Sequence, residues 1–351
     1  MARQPDGPVT IQSAALERFA ADVFARAGMT PADARIVAAV LVWANLRGVD
    51  SHGVTRIPRY VELIRLGDMN PRPALAIAQE TAATVLLDAD RAAGPVAMTA
   101  AADHALRKAR DAGMGLALVR ATTHTAALGY YTTRVAEAGM AGLAISASWP
   151  TMAYHGTRAA GVATNPISIA APGGAGDPVV LDMGTGIVSL GKLMQARRAG
   201  QPIPAGWALD ADGNPTTDPA RAQIPLPLGG PKGAGLALMI ELVTSLIVGN
   251  PVLAETLEGT DTGKRHRQNG AVIAIDIARF TDVDAFGREV ERLARALKAL
   301  PRDPDVAEIL LPGERGHRSR VQRASAGIPL PAPVLEELDA LAAELGVPPL
   351  D

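Results

Sequence analysis

The stretch GMGLALVRATTHTAALGYYTTRVAEAG, Gly113–Gly139, decides the fold class. GLALVRA reads as a buried strand, the threonine pair and His124 as a loop, and the segment up to Gly139 as a helix. A strand running into a helix is the repeating unit of an α/β protein. Its opening glycines suggest a dinucleotide fingerprint, but the sixth position of G-x-G-x-x-G/A is Leu118. The two other approaches, GTGIVS from Gly184 and GAGLAL from Gly233, fail at the same place, with Ser189 and Leu238. A Rossmann dinucleotide fingerprint is therefore unsupported.

Working outward, short apolar runs alternate with helical segments from about Thr81. TVLLDAD, GLAISASW, NPISIAAP, VVLDMG and AVIAIDI predict strands. GPVAMTAAADHALRKARDAG, IVSLGKLMQARRAG and GAGLALMIELVTSLIVG predict helices, and DADGNP predicts a tight turn between extended pieces. Both ends are helical. One helix is expected from about Ser13 to Gly28, and a second from Pro31 to about Arg47, with Thr30 as N-cap. Two more are expected at Asp282–Leu300 and Pro333–Leu345. The expected division is a helical, oligomer-forming domain from residues 8–75 and 281–351, around an α/β region at 76–280.

Of the 351 residues 48% are hydrophobic but only 3% aromatic, so aliphatic side chains must fill the core. Thirty-four basic residues face 36 acidic ones, a formal charge of −2, which gives no concentrated positive field for nucleic acid. There is no cysteine, which excludes disulfides, thiolate metal sites and cysteine nucleophiles. The polar start MARQPDGPVT has no apolar signal core, and the longest apolar run, Gly235–Gly249, holds Glu241 and is too short to span a bilayer. The reading is a soluble, cytoplasmic protein with no membrane partner. GIVSLGKL (Gly186–Leu193) ends on leucine where a P-loop needs serine or threonine for magnesium, and the six scattered histidines give no metal motif.

Four stretches carry groups capable of chemistry. In DSHGVTRIPRY, Asp50–Tyr60, Thr55 is expected to cap a helix that tolerates Pro58 in its first turn and ends at Gly67. His52 then precedes the helix, with Arg56 and Tyr60 in its first two turns; a solvated helix start is the plain alternative. His124 follows a strand end and suits a general acid or base, or is a loop histidine bonded to a threonine hydroxyl. In PLGGPKGAGLALMIELV, a glycine turn with Lys232 opens a helix and suits an anion such as pyrophosphate, or is simply a flexible loop. In VVLDMGTG, Asp182 at a strand end can contact a ribose, orient a histidine or cap the next helix.

Together DSHGVTRIPRYVELIRLGDMNP, TTHTAALGYY, ATNPISIAAP, VVLDMGTG, GKLMQARRAGQPIPAGWALDADGNPTTDP, PLGGPKGAGLA, AIDIARF and LPGERG resemble the malate/L-lactate dehydrogenase family of the second, non-Rossmann type. That family includes ureidoglycolate and sulfolactate dehydrogenases, diketogulonate reductase and piperideine/pyrroline-2-carboxylate reductases. The resemblance runs from about Ser13 to Leu345. It implies a non-Rossmann, mixed-sheet domain that binds NAD or NADP, a helical domain built from both chain ends, and a homodimer. It implies a substrate site at Ser51, His52, Arg56 and Tyr60, with His124 as proton donor or acceptor and His52 as the rival for that role. It also implies cofactor contacts at Ser148, Asp182, Met183, Gly184, Lys232, Gly313 and Glu314, and no metal.

This chain departs from the family pattern at three places. Thr122, Thr123, His124, Thr125 and Ala126 stand where the family often has Ser-Asn-His-Phe/Tyr-Gly. Met183, Gly184, Thr185 and Gly186 replace Met-Ala-Thr-Ser, and Ala163 replaces the glycine of Gly-Thr-Asn-Pro. The implied reaction is hydride transfer between a nicotinamide cofactor and the α-carbon of a small 2-hydroxy or 2-oxo acid. Reduction of a cyclic imino acid is the same-scaffold alternative, and a non-catalytic oligomeric ligand-binding scaffold the different-class one. Arg315, His317, Arg318 and Arg320 follow the Gly-Glu turn, either to meet a 2′-phosphate or as solvated charges.

Overall fold

The computed structural model describes residues 9–174, 176–260 and 267–350. Residues 1–8, most of the polar start, lie outside the described residues, as does Asp351 at the far end of the expected helical segment.

The chain opens with a short strand, β1 (Val9–Ile11), and helices α1 (Ser13–Arg26), α2 (Pro31–Leu46) and α3 (Ile57–Arg65). Thr30 caps α2 as expected, accepting from Asp33 N at 3.1 Å, with Pro31 in the first turn. The α/β part follows with β2 (Ala76–Glu80), β3 (Thr84–Asp88), α4 (Gly94–Ala112), β4 (Met114–Thr122), α5 (Gly129–Glu137) and β5 (Met140–Ala147). Next come the short pair β6 (Met152–Ala153) and β7 (Ala160–Val162), then β8 (Ile167–Gly173), β9 (Gly176–Met183) and α6 (Leu190–Ala199). The turn-rich segment holds β10 (Ala208–Leu209), β11 (Pro215–Thr216) and β12 (Ile224–Pro225), with DADGNP turning between the first two. Helix α7 (Pro231–Glu241) continues into a π-helical turn, Leu242–Leu246, followed by α8 (Leu253–Leu257), β13 (Gln268–Asp276), α9 (Val283–Lys298), α10 (Glu314–Ala326), β14 (Ile328–Leu330) and α11 (Ala332–Leu345).

Seven strands form one sheet in the order β2-β3-β4-β13-β5-β8-β9. Only β3 and β4 run parallel, joined by the crossover helix α4; every other neighbouring pair is antiparallel. The sheet is therefore mixed, and its central strand, β13, is the last of the seven in the chain. Ala117 and Val119 of β4 point into the main core, while Leu116 and Leu118 point to the opposite face. That face is covered in part by Ile240 of α7. Ile169, Leu181 and Ile275 remain exposed on the sheet strands, and Met239 and Ile247 on α7 and the turn after it.

A single hydrophobic cluster joins Phe24 and Leu41 of the first helices to Ala101 of α4, Val119 and Val272 of the sheet, and Leu338 of α11. The chain ends meet: β1 pairs with β14, α11 packs on α1 and α3, and α10 packs on α2. The core thus passes without a break from the terminal helices into the sheet.

Gly115 marks where α4 presses hardest on β4: a Cβ there would lie 2.1 Å from the Ala105 carbonyl oxygen. Gly115→Ala should cost about 1–3 kcal/mol through overpacking, measured as a lower denaturation midpoint with an unchanged slope.

Candidate active site

Helix α2 ends in Asn45 and Leu46, and the chain then makes two 3-10 turns, Asp50–His52 and Val54–Arg56, before α3. Thr55 is not the helix cap. Its hydroxyl donates to Asp50 O at 2.8 Å, and the cap position is Arg56, whose backbone is already helical. The second 3-10 turn feeds straight into α3, so no extended N-cap residue intervenes. Pro58 does sit in the first turn, and Gly67, with φ +76°, follows the last helical residues. These turns place Ser51, His52 and Arg56 side by side: Ser51 Oγ lies 3.0 Å from His52 Nδ1, and Arg56 Nε donates to Ser51 O at 2.6 Å. That is the one hydrogen bond of the Arg56 side chain among the described residues.

His124 comes to this cluster from the sheet. Thr123 N and both threonine hydroxyls, of Thr122 and Thr123, donate to Ala92 O at 3.1 Å. The threonines therefore pin the loop to the start of α4 and do not hold the imidazole. Gly94 is needed there, because a Cβ would lie 2.3 Å from His124 O. The passage is tight enough that Ala121, near the end of β4, and Ala126, in the loop, both take φ +54°, a region costly for alanine. Tyr60 OH then meets His124 twice, 2.7 Å from Nδ1 and 3.1 Å from the backbone oxygen. The His52 and His124 rings stack at 5.6 Å with 27° between their planes.

Ser51, His52, Arg56, Tyr60 and His124 thus converge from two distant segments. Burial lowers His52 to about 4, with the neighbouring Arg56 charge adding to the effect. Burial also holds His124 well below the ordinary range, helped by Arg56 and His52. Burial raises the Tyr60 hydroxyl, against the pull of Arg56. Arg56 itself is lowered by burial. Both imidazoles are neutral at neutral pH, each with one N–H and one lone pair.

The remaining sequence-predicted residues fall into two neighbouring groups. Asp182, at the end of β9, accepts from Gly129 N at 2.8 Å, so it ties the sheet to the start of α5, just beyond the His124 loop. It caps a helix distant in sequence, and no hydrogen bond joins it to a histidine among the described residues. Burial raises its carboxyl to about 6, against the Gly129 bond and Arg47, although the residue keeps an exposed edge. Gly313 packs against Val180 of the same strand and accepts from Arg47 Nη2 at 3.1 Å. Glu314 turns outward to Lys298, 2.5 Å away.

The second group is built on Met183–Gly186. Thr185 O accepts from Leu228 N at 2.9 Å, and Gly186 bridges to Pro227, so this segment lies beside the glycine turn of Lys232. Gly191 at the start of α6 in turn abuts Ser51, where a Cβ would lie 2.7 Å from Ser51 Cβ. The turn is not a nest of free amides. Gly230, Lys232, Gly233 and Ala234 already donate to backbone oxygens, because the turn closes on itself before α7 begins. What it offers an anion is the exposed Lys232 side chain, with Gly229 and Gly230 at φ near +60° and the His155 ring beside Gly230. Ser148 is half-buried, and its amide donates to Asn165 Oδ1 at 3.2 Å. Among the described residues no hydrogen bond links Ser148, Lys232 or Glu314 to the histidine pair.

Sequence reading missed helix α10 and the residues that brace the His52 turn, Asn45 and Arg323. A buried asparagine at a helix end was the available signal. Arg318 is occupied by Glu308, and Arg320 and His317 by Asp177. Among the described residues no His, Asp or Glu cluster suits a metal, and no helix is long and apolar enough to cross a membrane.

The folded His52 binds its proton less readily than the unfolded chain, whose value is 6.5. Stability should therefore be complete above pH about 6.5 and decline as pH falls toward about 4. His52→Gln should remove part of that decline, in thermal unfolding followed from pH 7.5 to 4; an unaltered pH slope would contradict the burial of the ring.

The sequence profile described as malate/L-lactate dehydrogenase matches residues 11–339. The malate dehydrogenase of Pyrococcus horikoshii is 35% identical over 339 residues, 94% of this chain and 93% of its own. The L-sulfolactate dehydrogenase of Methanocaldococcus jannaschii is 36% identical over 329 residues, covering 93% and 94%. A Δ1-pyrroline-2-carboxylate/Δ1-piperideine-2-carboxylate reductase of Pseudomonas putida is 31% identical over 322 residues, covering 91% and 93%. The solved P. horikoshii structure superimposes with a TM-score of 0.89 at 31% identity, over 100% of this chain and 99% of that one.

Proposed function

The chain belongs to the malate/L-lactate dehydrogenase family, and we propose that its histidine–tyrosine–arginine cluster is the site of an oxidoreductase acting on a small 2-hydroxy or 2-oxo acid. The protein is an enzyme of the dehydrogenase/reductase class and uses a nicotinamide cofactor. The observation that carries the site is the convergence of Tyr60, His124, His52 and Arg56, two neutral imidazoles beside a guanidinium whose Nη groups have no protein hydrogen bond among the described residues.

Each residue has a role that follows from its chemistry. Arg56 pairs with the substrate carboxylate through its two Nη groups, a planar fork that matches two oxygens. His124 exchanges the proton of the substrate oxygen, and Tyr60 fixes its ring through Nδ1. Ser51 and His52 line the same wall. When bound, the nicotinamide supplies or takes the hydride at the α-carbon. In the oxidation direction, the depressed His124 is ready as a base. In reduction, a carboxylate on Arg56 offsets the charge that disfavours a protonated imidazole, so acid and proton bind together. General acid–base action of this kind is typically worth ~10²–10⁴-fold.

The residues present fit a phosphate-bearing nucleotide: Lys232 stands exposed beside side-chain-free Gly229 and Gly230, in a turn joined to Thr185 and Gly186, the residues that follow Met183 and Gly184. We assign NAD or NADP contacts to these, to Ser148 and Asp182, and to Gly313 and Glu314. Imine reduction is the second reading, carried by the P. putida reductase. A non-catalytic scaffold is disfavoured by the intact cluster. We also propose a cytoplasmic homodimer. The helical segments 8–75 and 281–351 would contribute contacts through exposed Leu66, Leu293 and Val321, and the open sheet face through Ile169 and Ile275.

A panel of 2-oxo acids and cyclic imino acids, each with NADH and NADPH, should show oxidation of the cofactor with at least one 2-oxo acid; turnover of imines alone would favour the second reading. Arg56→Lys should raise the Michaelis constant for the acid and spare the cofactor dissociation constant. Equal turnover of the acid and its amide would show that no carboxylate clamp exists. His124→Ala should lower turnover by ~10²-fold or more and flatten the pH profile. If the pH limb survives there and vanishes in His52→Ala, the two histidine roles must be exchanged.

A further inference from the structure

Helix α10 lies against the C-terminal end of α2, where the last carbonyls of a helix lack partners of their own. Ser319 Oγ donates to Leu46 O at 3.0 Å, and Arg323 donates to Asn45 O. Arg323 also grips Asp50 as a fork, Nη1 to Oδ1 at 2.7 Å and Nη2 to Oδ2 at 3.1 Å. Asp50 is the residue before Ser51. Asn45 completes the brace: its Nδ2 donates to Asp50 Oδ1 at 2.7 Å, and its Oδ1 accepts from Val54 N at 2.8 Å. Asn45 is fully buried, and Gly53 passes so close that a Cβ would lie 2.1 Å from its Oδ1. One end of each 3-10 turn is thus tied to the same asparagine.

Short 3-10 turns have poor hydrogen-bond geometry and hold their shape only when something outside them does so. Here the external groups are Asn45 and Arg323, from two helices far apart in the chain. Among the described residues no hydrogen bond or ion pair of Arg323 reaches Ser51, His52, Arg56, Tyr60 or His124. We infer that Arg323 is a positioning residue, which through Asp50 and Asn45 fixes the double turn carrying Ser51, His52 and Arg56 for the acid substrate. This rests on the site proposed above. It assigns helix α10 a share in substrate recognition that none of its own side chains makes by contact. Arginine is required over lysine because both Asp50 oxygens and the Asn45 carbonyl are served by one planar group.

The test uses the full chain with oxaloacetate and NADH, and histidine-ring NMR as a readout independent of turnover. Arg323→Ala and Asp50→Asn should each lower kcat/KM for oxaloacetate at least tenfold, leave the NADH dissociation constant within twofold, and shift the ring resonances of His52 but not those of His104. Because the two act on one turn, the double variant should be no worse than the worse single variant. Arg323→Lys should recover only part of the loss, and it replaces Arg323→Ala in the comparison if that protein does not fold. Unmoved His52 resonances, or losses that multiply in the double variant, would overturn the positioning role. Absence of wild-type turnover with oxaloacetate and with every other 2-oxo acid of the panel, with His52 still shifting in the variants, would count against the acid site and leave the brace standing.

Discussion

The contact between Tyr60 and His124, made at the ring Nδ1 and at the backbone oxygen, is the constraint on which the site depends. It joins residues 64 apart in sequence, one on the helical wall and one on the loop after β4. A tyrosine hydroxyl buried beside an imidazole must find a partner there, because an unmet polar group costs about 1–3 kcal/mol. Meeting that demand sets the distance between α3 and the sheet. It also brings His52 onto the face of His124 and Arg56 alongside. The same burial that makes the bond necessary strips the imidazoles of their protons, so geometry and protonation state have one cause.

Around this contact the fold removes freedom step by step. Ala92 takes three hydrogen bonds from the threonine pair, Gly94 admits the His124 carbonyl, and Asp182 holds the start of α5. The price is visible at Ala126, an alanine in left-handed backbone where the family often has glycine. On the other side, Asn45 and Arg323 hold the double 3-10 turn. The site is therefore built from short, strained loops on rigid elements, the arrangement that suits groups which must meet a substrate at fixed angles.

Much of this was legible in the chain. The strand and helix segments of the α/β region follow from periodicity, and the absent sixth glycine left a Rossmann fingerprint unsupported. Thr30 and Pro31 announced α2 because capping is a local chemistry. The illegible parts are those set by tertiary contact. Nothing local makes β13, the last of the seven sheet strands in the chain, the middle of the sheet. Thr55 looked like a cap because its neighbours could have been extended; two consecutive 3-10 turns took that place once Asn45 and Arg323 held them. The glycine turn of Lys232 looked like an amide nest, yet its N–H groups close on the turn's own carbonyls. Helix α10 was missed because it is polar on nearly every face, with no apolar stripe to betray it.

The most direct test follows the hydrogen itself. With NADH or NADPH deuterated at nicotinamide C4 and a 2-oxo acid that the enzyme turns over, deuterium should appear on the α-carbon of the 2-hydroxy acid formed, seen by mass spectrometry and NMR. The label should be transferred directly, without exchange into solvent. A product that carries solvent hydrogen at that carbon, or cofactor oxidised with no label in any acid, would contradict hydride transfer at this site.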